Sequence, residues 1–245
     1  MVGTTLLSLG DRFSNPDGDY IVLASEASIR AHILNQHLNV KNVLMMGSGF
    51  PEDLDKAKFA THDEYVVATA DGKARIVAET IFGADTAEKR ANILKVLRHP
   101  YCDIDSSFDF NKIKFVIGGD TVCSCGDEIF EKPADEKEAL KQFSSYQIHD
   151  PVFITGISIY CRPLGASKPA CTFSDKTHVK FQRMTPEDID AYIKTKNYIG
   201  TAGSCRVTAC AESLVERIEG SYTSIIGMPA QKLSYNLCKL ANTLF

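Results

Sequence analysis

A chain of 245 residues with 44% hydrophobic and 24% charged residues can bury one substantial core without disulfide staples. Its net charge of −4 and pI near 5.9 exclude a general nucleic-acid surface, so an anionic ligand has to be caught by a local cluster of Lys and Arg. No run approaches the roughly 18 apolar residues of a membrane span, and the start of the chain lacks a basic, apolar leader, so a soluble cytoplasmic protein is expected.

Residues 1–19 are polar and turn-rich, with "NPDGD" as a strong turn signal, and read as an N-terminal arm. "YIVLAS" (20–25) is a short apolar run, hence a buried strand, and "EASIRAHILNQ" (26–36) carries Ile29, Ile33 and Leu34 at helical spacing. That helix should open near Ser25 or Ser28. "VKNVLMM" (40–46) reads as a second strand and "GSGFPED" as a loop, followed by a long amphipathic helix over 62–82. "TAEKRANILKVLRH" suggests a further helix, and "PYCDIDSSFDFNK" a polar loop with no evident core. Its "CDIDSS" resembles a dehalogenase-type nucleophile loop, but the strongly apolar strand that such a loop follows is missing.

"KFVIGGDTV" carries a strand over 113–118 that breaks on Gly118 and Gly119 and throws Asp120 outward from its end, where α/β proteins place ligand sites. A helix over 135–143, strands over 150–161 and 177–184, a helix over 185–193, a strand over 214–218 and a closing helix from Pro229 complete the pattern. "TPEDIDAYI" has a Thr cap, Pro at the first helical position and acids in the first turn. The fold class is α/β in one domain, two lobes around a cleft.

Four groups of residues carry possible chemistry. At "LASEASIR", either Ser25 or Ser28 caps the helix and Arg30 faces solvent, or free N–H groups, hydroxyls and Arg30 form an anion site. Lys73 stands beside Gly72 inside a helix, where glycine costs about 1 kcal/mol against alanine. It is either a surface lysine or a group near a close approach. Asp120 is the third group. The corner Glu131-Lys132-Pro133, where Pro133 holds Lys132 in place or marks an ordinary turn, is the fourth. The eight cysteines form no C-x₂-C pair and the six histidines no ligand pattern, so the cysteines read as reduced, buried small hydrophobes.

Taken in order, "VLASEASIRAHIL", "GKA", "IGGDTV", "EIFEKPADEKEA", "FITGISI", "HVKFQRMTPEDIDAYI" and "EGSYTSIIGMP" resemble the Maf family, the septum-formation-inhibitor-like nucleotide pyrophosphatases. The likeness implies a mixed central sheet with flanking helices, similar to the inosine-triphosphate pyrophosphatases, over residues 20–245, with an insertion at about 83–112. It implies hydrolysis of a nucleoside triphosphate to monophosphate and pyrophosphate with a divalent metal, Mg²⁺ or Mn²⁺, in a homodimer that binds neither nucleic acid nor membrane. By the same likeness Ser25 and Arg30 match the phosphate site, Lys73 the helix lysine, Asp120 the catalytic aspartate and Lys132 the corner lysine. Glu52 in "FPED" matches an acid that shares the metal with Asp120. Ile29, Thr121, Glu131, Arg206 and Thr208 fall at substrate-reading positions. Thr121 and Glu131 lean towards the pyrimidine branch (UTP, dTTP, CTP). The alternatives are the 7-methyl-GTP branch and a nucleotide-binding protein without turnover.

Overall fold

The computed structural model describes residues 3–245. Strand β1 (Tyr20–Leu23) is buried at all four positions, as a strand covered on both faces requires. Helix α1 (Ser28–Leu38) follows and ends on Asn39 in the left-handed conformation, φ 54°. β2 (Val43–Met45) leads through a loop to α2 (His62–Phe82), whose Thr61 cap accepts the Glu64 N–H. Next come α3 (Ala87–Leu94), β3 (Ile113–Cys125), β4 (Glu128–Phe130), α4 (Glu136–Ser145), β5 (Val152–Cys161) and β6 (Cys171–Phe181). α5 (Pro186–Lys194) opens with a reciprocal capping box between Thr185 and Asp188. β7 (Val215–Glu219), the single turn α6 (Tyr222–Ile225) and α7 (Ala230–Leu244) complete the chain.

The sheet runs β2-β1-β3-β5-β6-β7, with β4 paired to the far end of β3. β2, β1 and β3 are parallel, and every pairing from β3 onward is antiparallel. This is the mixed α/β architecture expected from the sequence. β3 contributes to four buried clusters, and the two largest take its opposite halves. Phe115 and Ile117 belong to a cluster with Ile21, Ile33 and Leu237. Cys123 and Cys125 belong to another, around Phe143, Tyr146, Phe153 and Tyr192. Gly118 to Thr121 lie where one core gives way to the other.

Here the structure corrects the sequence reading. β3 does not end at Gly118. It continues unbroken to Cys125, with Gly118, Gly119 and Asp120 paired to Ser158, Ile157 and Gly156 of β5. A Cβ on Gly118 would overlap the Ala70 carbonyl oxygen, and one on Gly156 would overlap the Val66 backbone. The glycines therefore let helix α2 lie directly on the sheet. Gly72 likewise leaves room for the Phe50 ring.

The expected arm is not loose. Leu6 and Phe13 are buried in the first core, and the Leu6 N–H donates to Ser234 Oγ at 2.9 Å; residues 1–2 of that arm lie outside the described residues. The polar 100–112 segment also has a core, since Phe110 is buried and Phe108 meets Tyr20 edge-on at 4.9 Å. Its Asp105 carboxylate accepts from the Ser107 backbone and hydroxyl. All eight cysteines are free and five are buried. Among the described residues no helix is long and apolar enough to cross a membrane.

Because α2 rests on glycine, Gly118→Ala should cost about 2–3 kcal/mol, the scale of overpacking. Urea unfolding checks this: the midpoint should fall at constant slope. An unchanged midpoint would show that the helix has room to spare.

Candidate active site

A cavity of about 520 Å³ opens at the seam between the two cores. It is walled by the exit of β1, the 47–52 loop, the middle of β3, the 200–208 loop and the end of α6. Ser25, Ile29, Arg30, Glu52, Lys73, Asp120, Thr121, Lys132, Arg206 and Thr208 all line it, whereas Glu131 does not.

Alternation along β3 sends Asp120 towards α2 and Thr121 to the opposite face. Lys73, one helical turn beyond Ala70, therefore meets Asp120. Its Nζ donates to Asp120 Oδ1 at 2.8 Å and pairs with Glu52 Oε1 at 2.9 Å. Lys73 and Asp120 are only 6% and 8% exposed, so each needs the other as partner. Lys132 Nζ lies 3.7 Å from Glu52 Oε2. Burial would raise the Glu52 carboxyl, but the Lys73 hydrogen bond and the charges of Lys73, Lys132 and Arg30 outweigh it and hold the group below its ordinary value.

Arg30 is not a solvent-facing charge. Its Nε donates to the Gly227 carbonyl at 3.0 Å and its Nη1 to Ser25 Oγ at 2.9 Å. Burial lowers its pKa, with Asp120 and Glu52 opposing, and a guanidinium so placed stays cationic. Ser25 Oγ also accepts the Ala27 N–H at 3.2 Å, while Ser28 is the first residue of α1 and the Ala27 cap position has no side-chain cap. Among the described residues Nη2 has no hydrogen-bond partner, which leaves it for a ligand.

Glu131 accepts from the Tyr65 hydroxyl at 2.7 Å and pairs with Lys56 at 3.1 Å. Burial, then the Glu131 hydrogen bond, raise the Tyr65 phenol, so it remains a donor. The residue expected to read substrate instead ties the Lys132 corner to α2 and to the loop that carries Glu52.

On the opposite face of β3 from Asp120, Thr155 Oγ1 donates to the Ser224 carbonyl at 2.7 Å. Its 2.8 Å contact with Thr121 Oγ1 must then be accepted from Thr121, because each hydroxyl has one proton. Thr121 is left with lone pairs only. Arg206 spends Nε on Asn197 O (2.9 Å) and Nη2 on Ile199 O (2.6 Å). Sequence reasoning missed Phe50, Cys205, Val207, Ile225 and Ile226 in the lining. Phe50 lies in "GSGF", Cys205 and Val207 in "GSCRV", and Ile225 and Ile226 in "SIIG", short stretches without a period that would mark a cavity wall.

Glu52 Oε1 and Asp120 Oδ1 both pair with Lys73 Nζ, so the two carboxylates stand close together and each keeps a second oxygen for a cation beside the ammonium. Such a pair of hard donors fits a divalent cation that takes its other ligands from phosphate and water. Among the described residues no three His, Cys, Asp or Glu side chains gather as a metal group, so the protein alone would not complete a coordination shell.

Known proteins agree with this architecture. A family model described as Maf-like protein matches residues 20–240. A human protein named as a probable bifunctional dTTP/UTP pyrophosphatase/methyltransferase is 30% identical over 224 residues, 90% of this chain and 32% of that protein. The chain thus spans about a third of the length of that relative. The dTTP/UTP pyrophosphatase of Thermosipho africanus is 30% identical over 172 residues, 61% of this chain and 87% of that one. One from Bacillus cereus is 33% identical over 127 residues, 51% of this chain and 63% of that one. With the family model covering most of the chain and every residue of the cavity, the chain belongs to the Maf-like family.

Proposed function

We propose that the chain hydrolyses a pyrimidine nucleoside triphosphate to the monophosphate and pyrophosphate in this cavity. The observation that carries the reading is the convergence of Arg30, Lys73 and Lys132 on one cavity with Asp120 and Glu52. A triphosphate brings about four negative charges, and three cations offset by two carboxylates do not balance them. A divalent cation held by Glu52 and Asp120, when bound, supplies the missing charge and acidifies a coordinated water.

Asp120 Oδ1 is engaged by Lys73, while Oδ2 takes no hydrogen bond from any described residue. Asp120 Oδ2 accepts a proton from the attacking water as the new P–O bond forms in line with the leaving group. The P–O bond between the α and β phosphates breaks, and its electron pair stays with pyrophosphate, whose charge Arg30 and Lys132 stabilise. Thr121, presenting lone pairs only, accepts a base N–H such as the ring N–H of uracil or thymine. The names of the relatives, dTTP/UTP pyrophosphatases, support that choice. The same reading takes the protein as a cytoplasmic homodimer without a nucleic-acid partner, in which residues 1–19 form an arm on a 20–245 catalytic domain.

Asp120→Asn should keep nucleotide binding, since Lys73 retains Glu52, yet lower kcat by about 10² or more. Near-normal turnover, or full activity in chelator, would overturn the mechanism. Arg30→Lys preserves charge but loses the fork shared between Gly227 and Ser25, so kcat/KM should fall at least about tenfold with little change in Tm. Wild-type kinetics in that variant would remove Arg30 from the phosphate site. Across a panel, kcat/KM for UTP, dTTP and CTP should agree within about tenfold, because one threonine and apolar Ile29 discriminate weakly. GTP and 7-methyl-GTP should be poorer, and a hundredfold preference for 7-methyl-GTP would reverse the base assignment.

A further inference from the structure

We propose that residues 83–112 buttress the anion-binding loop from outside the cavity, with Arg98 as the positioning residue; this rests on the function proposed above. The segment is fastened along its length. Arg90 Nε donates to the Ala84 carbonyl at 2.8 Å, and Ile93 and Leu97 are buried beside Ala24 and Leu44. At its far end Arg162 donates to the Phe110 and Ile113 carbonyls at 2.6 and 2.8 Å. Midway, Arg98 forms an antiparallel bridge to Met45, with N···O distances of 2.7 and 2.9 Å, and so extends the sheet beyond β2.

Held there, Arg98 turns its side chain to the β1–α1 loop and donates through Nη2 to the Glu26 carbonyl at 2.8 Å. That carbonyl belongs to the same peptide group as the Ala27 N–H, which donates to Ser25 Oγ, the acceptor for Arg30. The chain of bonds runs from Arg98 through one peptide plane to Ser25 and ends on the guanidinium that faces phosphate. A cation on the carbonyl polarises the amide and strengthens its N–H as a donor. Arg98 does not line the cavity, so it acts only through the loop.

The test compares Arg98→Ala and Arg98→Lys with Val96→Ser, a change at an exposed position of the same segment. UTP kinetics, Tm and calorimetric binding of pyrophosphate are measured for each. Arg98→Ala should raise KM and the pyrophosphate Kd about fivefold, the scale of one lost hydrogen bond, with kcat within about twofold of wild type. Arg98→Lys should recover part of both constants, and Val96→Ser should match wild type. Unchanged KM and Kd in Arg98→Ala overturn the proposal, and so does a fall in Tm with both constants unmoved. If the wild type binds pyrophosphate but turns over no nucleoside triphosphate, the proposed function fails while the pyrophosphate comparison still decides the role of Arg98. Absence of both activities defeats the two together.

Discussion

The site depends on how closely helix α2 approaches the sheet. Only with hydrogen at the Cβ positions of Gly118 and Gly156 does the helix backbone rest on β3 and β5. That approach brings Lys73, from the helix, within 2.8 Å of Asp120, from the strand. A buried lysine and a buried aspartate are tolerable only as partners, and leaving one of them alone costs about 3–5 kcal/mol. The helix is therefore held twice, by shape at the glycines and by charge at Lys73. Any movement that relieved one constraint would break the other.

Around this fixed pair the remaining groups are delivered by loops, each anchored to something rigid. The β1–α1 loop is tied to Gly227 through Arg30, and the Lys132 corner to Tyr65 and Lys56 through Glu131. The anchoring residues spend their hydrogen bonds on structure, so that a few atoms, such as Arg30 Nη2, Asp120 Oδ2 and the Thr121 lone pairs, are left facing the cavity. Preorganised donors and acceptors of this kind cost no rearrangement when charge develops on a substrate. The cavity thus combines a charged set around Lys73 with apolar lining from Ile29, Val207 and Ile226.

Much of the architecture was legible in the sequence where local physics decides. The Thr185 capping box, the Pro229 start of α7 and the apolar run of β1 each lie within one element, and each stands where pattern placed it. Gly118-Gly119 misled because a strand position emptied to admit a helix looks, in one dimension, like a strand that stops. The 100–112 segment misled for the opposite reason: Phe108 and Phe110 stand singly among polar residues and form a core only with Tyr20 and the rest of their cluster. No period in that stretch announces it.

The sequence by itself determined the inventory: which acids, bases and hydroxyls exist, their order, and their attachment to strand, helix or turn. That followed from short-range preferences of caps, prolines and apolar periodicity. Only the tertiary structure decided which of those groups meet. Lys73 and Asp120 are separated by 47 positions and Arg30 and Gly227 by 197, and no local preference acts across such distances. The same limit explains Glu131. Its place beside Lys132 suggests a shared task, but successive residues at a corner point different ways, and Tyr65 and Lys56 hold it outside the cavity that Lys132 enters.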